Sequence, residues 1–459
     1  FNKMSYYKIE SLEQYFKHYN KSIREPRKFW GKIASENFTW YQEWEKVFDF
    51  DMGDAKIKWF VDAKVNIVKN CIDRHLAKRG NKTAIIFEPN DPKEDAQHIS
   101  YNDLYIRVSK MANVLREQGI EKGDRVCIYL PMIPELAISV LACARIGAVH
   151  SVVFAGFSSS AVAARINDSE CKMVITSDGG FRGSKSIDLK GIVDEALEKS
   201  PCVEKVLVAK RTHTDVQMKV GRDQWLQPLL DEASDNNVAE IMDAEDPLFI
   251  LYTSGSTGKP KGMVHTTAGY MVYTAYTFKN VFNYEENDVF WCTADIGWIT
   301  GHSYILYGPL LNGATTVIFE GVPSYPDFSR FWETIEKHKV TQFYTAPTAI
   351  RALAKESLEY VQKYPLKTLK VIGSVGEPIN EEAWHWYNDH VGGKRCPVVD
   401  TWWQTETGGI MISPLPFVTP TKPTYATLPL PGIQPVLMDE KRNEIEGNQV
   451  VGSLCIKFP

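Results

Sequence analysis

Apolar residues recur along the chain in two patterns. Short runs rich in valine and isoleucine predict buried strands, and stretches with apolar positions three or four residues apart predict helices. The predicted strands are Lys82–Glu88, Asp124–Leu130, Val149–Phe154, Met173–Thr176, Leu248–Tyr252, Asp288–Cys292, Thr315–Ile318, Gln342–Thr345, Val371–Ser374 and Pro397–Trp402. The predicted helices are Ser11–His18, Asn66–Lys78, Ser100–Gln118 and Pro134–Ile146. Strands that alternate with helices in this way indicate an α/β fold whose sheets are mostly parallel and covered on both faces.

The length of 459 residues is too great for one simple core, so we expect several subdomains. A charged stretch, Lys210–Val220, predicts a surface excursion, and the Pro/Thr-rich segment Pro414–Pro431 predicts a connector. The expected divisions are an N-terminal extension (1–60), a first α/β subdomain (61–240), a second α/β subdomain with the phosphate loop (241–413) and a small β subdomain (414–459). The last contains the predicted strands Gln434–Met438 and Gly452–Ile456.

Composition narrows the possible partners. The net charge of −5 gives no reason to expect nucleic acid or an anionic membrane, so an anionic substrate needs a local positive site. The eight cysteines show no CxxC pairing and several lie in apolar runs, which predicts reduced thiols and a cytoplasmic protein. We also expect no signal peptide and no membrane span, because no apolar run is long enough.

The segment Thr253–Gly262 follows the predicted strand Leu248–Tyr252 and interleaves glycine, hydroxyl and lysine residues. Glycines allow the backbone to approach a ligand closely, and hydroxyls, amides and lysines suit phosphate oxygens. The segment is not a Walker A loop, because Gly255 and Gly258 are too close together and Pro260 stands where a magnesium-binding Ser or Thr is required. An ordinary Gly/Ser-rich turn is the alternative, but the order of residues favours a nucleotide phosphate site.

This loop and four later motifs resemble those of the acyl-adenylate-forming enzymes, and in particular the AMP-forming acetyl-CoA synthetases. The later motifs are Trp298–His302, Tyr344–Thr348, Gly373–Pro378 and Asp400–Gly408. The resemblance extends from about Phe29 to the last residue. It implies that the chain is the large N-terminal part of such an enzyme, and that the mobile C-terminal domain with its catalytic lysine is absent.

The resemblance implies that the protein activates acetate as acetyl-adenylate and transfers the acetyl group to CoA, with ATP, Mg²⁺ and CoA required. The implied partners are therefore small molecules only. The implied ATP-binding residues are Thr253, Ser256, Thr257, Lys259, Gly376, Glu377, Pro378, Asp400, Thr401, Trp402, Trp403, Gln404 and Thr405. Lys259, Thr405 and Glu406 are implied to be catalytic, and Glu406 to face Mg²⁺, because a Thr hydroxyl beside a carboxylate can contact phosphate and metal from one turn.

Trp403 stands where acetyl-CoA synthetases carry a tryptophan that shortens the acyl pocket, and Ile299, Thr300 and Val375 are expected to complete that pocket. A packed indole excludes longer tails by overlap, whereas one methylene gives only about 1–3 kcal/mol of discrimination, so propionate should be tolerated. The implied CoA-binding residues are Arg182, Gly183, Ser184, Lys185, Thr300 and Ser324. Taken alone, Trp403 would be an ordinary core residue, and Arg182 with Lys185 an ordinary solvated pair of cations.

Two alternatives stay open at this point. The acid could be propionate or another short carboxylate, within the same superfamily. The chain could instead be a nucleotide-binding module that is inactive without its C-terminal domain. His265 and His302 are expected to be structural hydrogen-bonding residues, because acetate is already ionised near neutral pH and adenylation needs no general base.

Overall fold

The computed structural model describes residues 6–51, 53–54, 56–253 and 259–457. This part of the chain contains two seven-stranded sheets, and each consists of parallel strands with one antiparallel strand at an edge. In spatial order, the first sheet comprises Asp223–Trp225, Lys205–Ala209, Met173–Ser177, Arg125–Ile128, Val149–Val152, Pro247–Thr253 and Lys261–Thr266. The second comprises Val398–Asp400, Val371–Ser374, Gln342–Thr345, Val289–Cys292, Thr315–Phe319, Thr83–Glu88 and Gln97–Ser100. The expected α/β class with parallel-rich sheets is confirmed.

Side chains on successive strand positions enter different cores, because they point to opposite faces of each sheet. In the first sheet, Val126 and Ile128 join the central core and Cys127 joins an outer one. In the second sheet, Phe290 faces the central core and Trp291 faces the other outer core. The fold is therefore layered: outer helices, first sheet, central helices, second sheet, outer helices.

Helices form these three layers. The α-helices are Leu12–Arg24, Pro26–Asn37, Ile67–Cys71, Leu76–Arg79, Tyr101–Glu117, Pro134–Ile146, Ser159–Ser169, Leu189–Leu197, Leu226–Glu232, Thr267–Val281, Ile299–Gly301, Gly308–Leu311, Arg330–His338, Pro347–Ala354, Glu359–Gln362 and Glu381–Trp386. Two π-helical segments (His302–Tyr307, Tyr387–Val391) and two 3-10 turns (Asp73–His75, Thr405–Thr407) complete the set. None of the helices in the described ranges has the length and apolar character that crossing a bilayer would require.

The helix that begins and ends where the sequence predicted it, Pro134–Ile146, has local signals at both ends. Pro134 occupies the first turn, where no backbone N–H is needed, and Gly147 at the other end adopts φ +76°. The prediction of one helix over Asn66–Lys78 is wrong. The backbone leaves the helical region at Ile72, where φ is −126°, so the segment divides into two short helices and a 3-10 turn.

Burial explains this break. Ile67, Val68, Cys71 and Ile72 are all fully buried, so the segment is enclosed on several sides and does not present one apolar face. Asn66 is also buried, and its side-chain amide donates to the carbonyl oxygen of Glu240 at 2.9 Å. The segment is therefore shaped by its neighbours more than by its own helical period.

Three two-stranded pairings lie outside the large sheets and were not predicted. They are Lys46–Asp51 with Lys56–Val61, Lys64–Val65 with Met242–Asp243, and Gly180–Arg182 with Lys185–Ile187. The two predicted C-terminal strands are confirmed as Gln434–Met438 and Ser453–Lys457, in a three-stranded sheet with Glu444–Ile445. The N-terminal extension contacts the segment just before this sheet, where the Tyr15 hydroxyl donates to the carbonyl oxygen of Pro429 at 2.8 Å.

The order of strands in the sheets does not follow the order of the chain. Thr83–Glu88 pairs with Thr315–Phe319 in the second sheet, and the Thr315 hydroxyl donates to the carbonyl oxygen of Thr83 at 2.6 Å. Pro247–Thr253 instead belongs to the first sheet, beside Val149–Val152. The division into subdomains stays a prediction, but membership of the two sheets does not follow the expected boundary at residue 240.

Candidate active site

The predicted nucleotide motifs follow the carboxyl ends of neighbouring parallel strands. Val375 and Gly376 come after Val371–Ser374, and Thr401 comes after the adjacent strand Val398–Asp400. The Thr401 N–H donates to the carbonyl oxygen of Ser374 at 3.2 Å, so the two segments are in contact. Carboxyl ends of parallel strands are where open α/β sheets bind ligands. The structure therefore brings these two predicted segments together at one sheet edge.

The phosphate loop is described only at its two ends. Ser256 and Thr257 lie outside the described residues. Thr253 ends the strand Pro247–Thr253 and pairs with Lys261 on the antiparallel edge strand. Lys259 is exposed.

The segment Gly376–Pro378 is exposed and leaves open space at its first residue. Gly376 has φ +99°, and a Cβ placed there would meet no heavy atom within 4 Å. Glu377 is held at 2.6 Å by the guanidinium group of Arg351. Asp400, in contrast, is buried, and burial raises the pKa of its carboxyl group to about 6. A flat ligand can therefore approach the glycine beside the charged pair of Glu377 and Arg351.

Glu406 lies in the 3-10 turn Thr405–Thr407 and is exposed to solvent. Gln404, just before the turn, is exposed as well. The Thr407 hydroxyl accepts from the Gln404 N–H at 3.1 Å, which closes the turn. In the described ranges, no group of three or more His, Cys, Asp or Glu side chains is arranged to hold a metal ion. A lone exposed carboxylate fits Mg²⁺, which is commonly bound through one or two carboxylates together with substrate phosphates.

Trp403 is fixed by two tyrosines. Its ring stands edge-on to Tyr304, and its indole N–H donates to the hydroxyl of Tyr344 at 3.3 Å. The same hydroxyl is 2.6 Å from the hydroxyl of Thr401, which links the indole to the start of the predicted motif Asp400–Gly408. Trp402 is placed differently, since its backbone pairs with that of Ile412.

Three of the four predicted acyl-pocket residues belong to the central core or pack against it. Ile299 and Val375 are buried members of it, and Trp403 packs against it half-buried. Thr300 is half-buried in the short helix Ile299–Gly301.

Arg182 and Lys185 face each other across a short hairpin. They are register partners in the antiparallel pair Gly180–Arg182 with Lys185–Ile187, and both are exposed, as is Ser184. Like charges directly opposite each other in a strand pair are destabilising. The arrangement is therefore suited to binding an anion, which would relieve the repulsion.

Gly183 fixes the turn of this hairpin. It has φ +60°, its N–H donates to Asn90 Oδ1 at 2.9 Å, and its carbonyl oxygen accepts from Asn90 Nδ2 at 2.8 Å. A Cβ at this position would lie 3.3 Å from Val322 Cγ2, so the turn rests on the segment that carries Ser324. Two of the predicted CoA-binding elements are thus adjacent.

A cavity of about 240 Å³ opens beside the hairpin. Its lining includes Arg182, Val322 and the segment Phe154–Gly156. It also includes Asp295, which sequence reasoning missed. Burial raises the pKa of Asp295 to about 6, although the Gly297 N–H, 2.6 Å from Oδ1, and the charge of Arg182 both lower it. The position of Asp295 just before the motif Trp298–His302 was the only signal in the sequence.

Both histidines noted in the sequence make structural hydrogen bonds. His265 Nε2 lies 2.7 Å from the carbonyl oxygen of Thr405. His302 is buried with Nδ1 3.3 Å from the carbonyl oxygen of Trp298, and burial lowers its pKa to about 4. A histidine that is neutral at physiological pH and bound to carbonyl groups fits the structural role that was expected.

Comparison with known proteins identifies the class. A family model described as AMP-binding enzyme matches residues 72–459. The chain therefore belongs to the AMP-binding enzyme family. A second model, described as acetyl-coenzyme A synthetase N-terminus, matches residues 15–71.

Several curated relatives carry the name acetyl-coenzyme A synthetase. That of Desulfatibacillum aliphaticivorans is 56% identical over 435 residues, which are 95% of this chain and 67% of the relative. That of Alkalilimnicola ehrlichii is 54% identical over 445 residues, 97% of this chain and 69% of the relative. Acetyl-coenzyme A synthetase 2 of Pseudomonas aeruginosa is 56% identical over 435 residues, which are 95% of this chain and 67% of the relative. The chain thus corresponds to about two thirds of the length of these relatives.

Proposed function

We propose that this protein activates acetate with ATP and transfers the acetyl group to CoA, giving acetyl-CoA, AMP and pyrophosphate. The observation that carries the proposal is the indole of Trp403, which Tyr304 and Tyr344 hold in the segment Asp400–Thr405, with the Tyr344 hydroxyl also bonded to Thr401. Membership of the AMP-binding enzymes supports the adenylation chemistry, and the names of the relatives support acetate and CoA as substrates.

Adenylation is the first step. An acetate oxygen attacks the α-phosphorus of ATP, the bond to the bridging oxygen breaks, and pyrophosphate leaves. Such a step depends on positioning and charge neutralisation more than on covalent help from the protein. We assign the β- and γ-phosphates to Thr253, Ser256, Thr257 and Lys259, the adenine to Gly376–Pro378, and the α-phosphate and ribose to Asp400–Thr405. Mg²⁺, held at Glu406, would neutralise phosphate charge.

Thioester formation is the second step. The CoA sulfur attacks the carbonyl carbon of acetyl-adenylate, AMP leaves with the electron pair of the broken C–O bond, and the thiol proton passes to solvent. We assign the 3′-phosphate of CoA to Arg182 and Lys185, since their mutual repulsion favours a bound anion and arginine can hold a phosphate through two N–H groups. The rest of the CoA molecule would contact Gly183, Ser184, Thr300 and Ser324.

The acyl pocket sets the substrate. Trp403 cannot move aside without losing its contacts to Tyr304 and Tyr344, so a longer acyl chain would overlap it. Propionate adds one methylene, and discrimination of about 10–200-fold is expected for a difference of that size. A cytoplasmic location fits the eight cysteines, which are all free thiols.

ATP–pyrophosphate exchange with acetate, propionate, butyrate and a longer acid tests the proposal. It is measured with the chain and with a chimera in which the remaining third of a curated relative follows it. Exchange that is best with acetate and falls steeply at butyrate is expected. Exchange that peaks with a longer acid would overturn acetate as the substrate, and no exchange by the chimera with any acid would overturn the ligase activity.

A further inference from the structure

The geometry points to His265 as a positioning residue that ties the strand leaving the phosphate loop to the turn bearing Thr405 and Glu406. This inference rests on the proposed function, because the roles of Thr405 and Glu406 belong to it. It adds a residue outside the sets assigned to ATP, acetate, CoA and metal. Its basis is the set of contacts that the His265 ring makes.

The first contact is a hydrogen bond to the turn. His265 lies in the edge strand Lys261–Thr266, whose first two residues are the last two of the predicted phosphate loop Thr253–Gly262. Its Nε2 is 2.7 Å from the carbonyl oxygen of Thr405. A carbonyl oxygen only accepts hydrogen bonds, so Nε2 carries the proton and donates it. One side chain therefore joins two segments that are assigned to different phosphates of the same ATP.

The imidazole ring is held in a slot that fixes the direction of this bond. On one side it packs against Phe249, with ring centroids 4.8 Å apart and planes inclined by 30°, and Phe249 is fully buried. Gly408 also lies against the ring, where a Cβ would come within 2.9 Å of the ring atom Cε1. Because Gly408 has φ +68° and no side chain, the turn can lie against the ring. The packing of Phe249 and Gly408 against the ring thus restrains the direction of the donor.

Other side chains hold the segment after the turn and not Thr405 itself. The Ser303 hydroxyl donates to the carbonyl oxygen of Gly408 at 2.6 Å, and the Tyr273 hydroxyl donates to that of Ile410 at 2.7 Å. Within the described residues, the carbonyl oxygen of Thr405 otherwise receives only the Gly408 N–H of its own turn, at 3.3 Å. His265 is therefore the link between Thr405 and the first sheet.

The consequence is kinetic. In-line transfer requires the α-phosphate and the departing pyrophosphate to keep a fixed relation, and a displacement of about 1 Å in a positioning element can reduce a rate on the order of 10²-fold. Losing the His265 bond should therefore lower kcat for adenylation about 10- to 100-fold, while the KM for acetate stays nearly unchanged, because the acyl pocket does not include this bond.

Four variants of a chimera that shows acetate-dependent exchange test the inference. His265→Phe keeps a ring against Phe249 but removes the donor, His265→Gln restores an N–H at similar reach, and His265→Met has similar length without a donor. Tyr273→Phe is the matched control, since it removes a bond of the same length to Ile410, farther along the same segment. kcat and KM for exchange are measured together with the melting temperature.

We expect His265→Phe and His265→Met to lose kcat at unchanged acetate KM, and His265→Gln to recover most of it. Tyr273→Phe should keep kcat even where its melting temperature falls. If kcat of His265→Phe stays within twofold of the parent, the inference is overturned but the proposed function is not. Equal losses of kcat in His265→Gln and His265→Met would have the same meaning. If His265→Phe does not fold, the Gln and Met pair decides. Absence of exchange in the parent chimera would overturn the proposed function and this inference with it.

Discussion

The indole ring of Trp403 meets the phenol ring of Tyr304 edge-on, with centroids 5.0 Å apart and planes at 85°. Edge-to-face pairs of this kind are preferred geometries and contribute about 0.5–1.5 kcal/mol beyond burial. Tyr304 is itself tethered, because its hydroxyl accepts the Ile410 N–H at 2.8 Å. The ring that Trp403 packs against is therefore held by the backbone at Ile410.

Trp403→Gly should shift the acid preference toward longer chains. Removing the indole opens space beside the nucleoside segment, so butyrate and longer acids gain relative to acetate. The measurement is the rate of ATP–pyrophosphate exchange for each acid. Tyr273→Phe is the control, since it removes a hydroxyl that bonds the nearby backbone at Ile410 while leaving Trp403 and Tyr304 unchanged, and it should leave the order of acids unchanged. An unchanged preference in Trp403→Gly would show that Trp403 does not limit the acyl pocket.

Arg182→Ala should raise the KM for CoA about 10- to 100-fold, the effect of losing charge-assisted hydrogen bonds worth roughly 1.5–3 kcal/mol. The KM for ATP and acetate should not change, because the hairpin is assigned to CoA alone. Lys185→Arg should retain or lower the KM for CoA by supplying a second planar donor group. Thioester formation gives the measurement, with the exposed Lys58→Ala as the control. An intact KM for CoA in Arg182→Ala would contradict the assignment.

Asp400 should make the protein without bound substrates less stable to unfolding as the pH rises. Burial raises the pKa of Asp400 from 3.8 to about 6, so the folded state binds the proton more tightly than the unfolded state does. The free energy of unfolding attributable to this group therefore falls between about pH 4 and pH 6 and stays low above that range. Asp400→Asn should remove this loss and stabilise the protein at pH 7.5 by up to about 2–3 kcal/mol. Urea unfolding at pH 4.5 and 7.5 checks it, with the exposed Asp95→Asn as the reference.

Glu88 anchors a buried ion cluster that should be costly to break. Its carboxylate lies 2.7 Å from Arg330 Nη2 and 2.6 Å from His338 Nε2, and the side chains of Glu88 and Arg330 are fully buried. Burial alone would raise the pKa of Glu88, but hydrogen bonds from His338 and Lys337 and the charge of Arg330 lower it to about 2. The stability it provides is therefore present above about pH 4.5 and is lost as the pH falls toward 2.

Glu88→Gln should reduce the free energy of unfolding at pH 7 by about 3–5 kcal/mol, because it leaves the Arg330 charge buried without its partner. Glu94→Gln is the matched control. Its ion pair with Arg211 is partly exposed, so a loss of no more than about 1 kcal/mol is expected. Equal losses in the two variants, measured by urea unfolding, would contradict the role of burial.

The strands were predictable from sequence where local signals agree. Gln342–Thr345 and Val371–Ser374 are short segments buried on both faces, and the structure has the same bounds as the prediction. The failure at Asn66–Lys78 arises because neighbouring segments enclose it, which a local period cannot show. Two other features could not be read from the sequence, because only folding brings the residues together. They are the pairing of Arg182 opposite Lys185 across a hairpin and the hydrogen bond from His265 to Thr405. Chemistry-bearing motifs were therefore visible in the sequence, but the residues that aim them were not.

The pairing of Thr83–Glu88 with Thr315–Phe319 also has a consequence for biosynthesis. These strands meet across 232 residues at the bond between Thr83 and Thr315. At a synthesis rate of about 5–20 residues per second, the early strand waits on the order of 10–50 seconds for its partner to leave the ribosome. Its apolar side chains, Ile85 and Phe87 among them, are without their final cover during that interval. Nascent chains should therefore depend on chaperones until the second sheet closes.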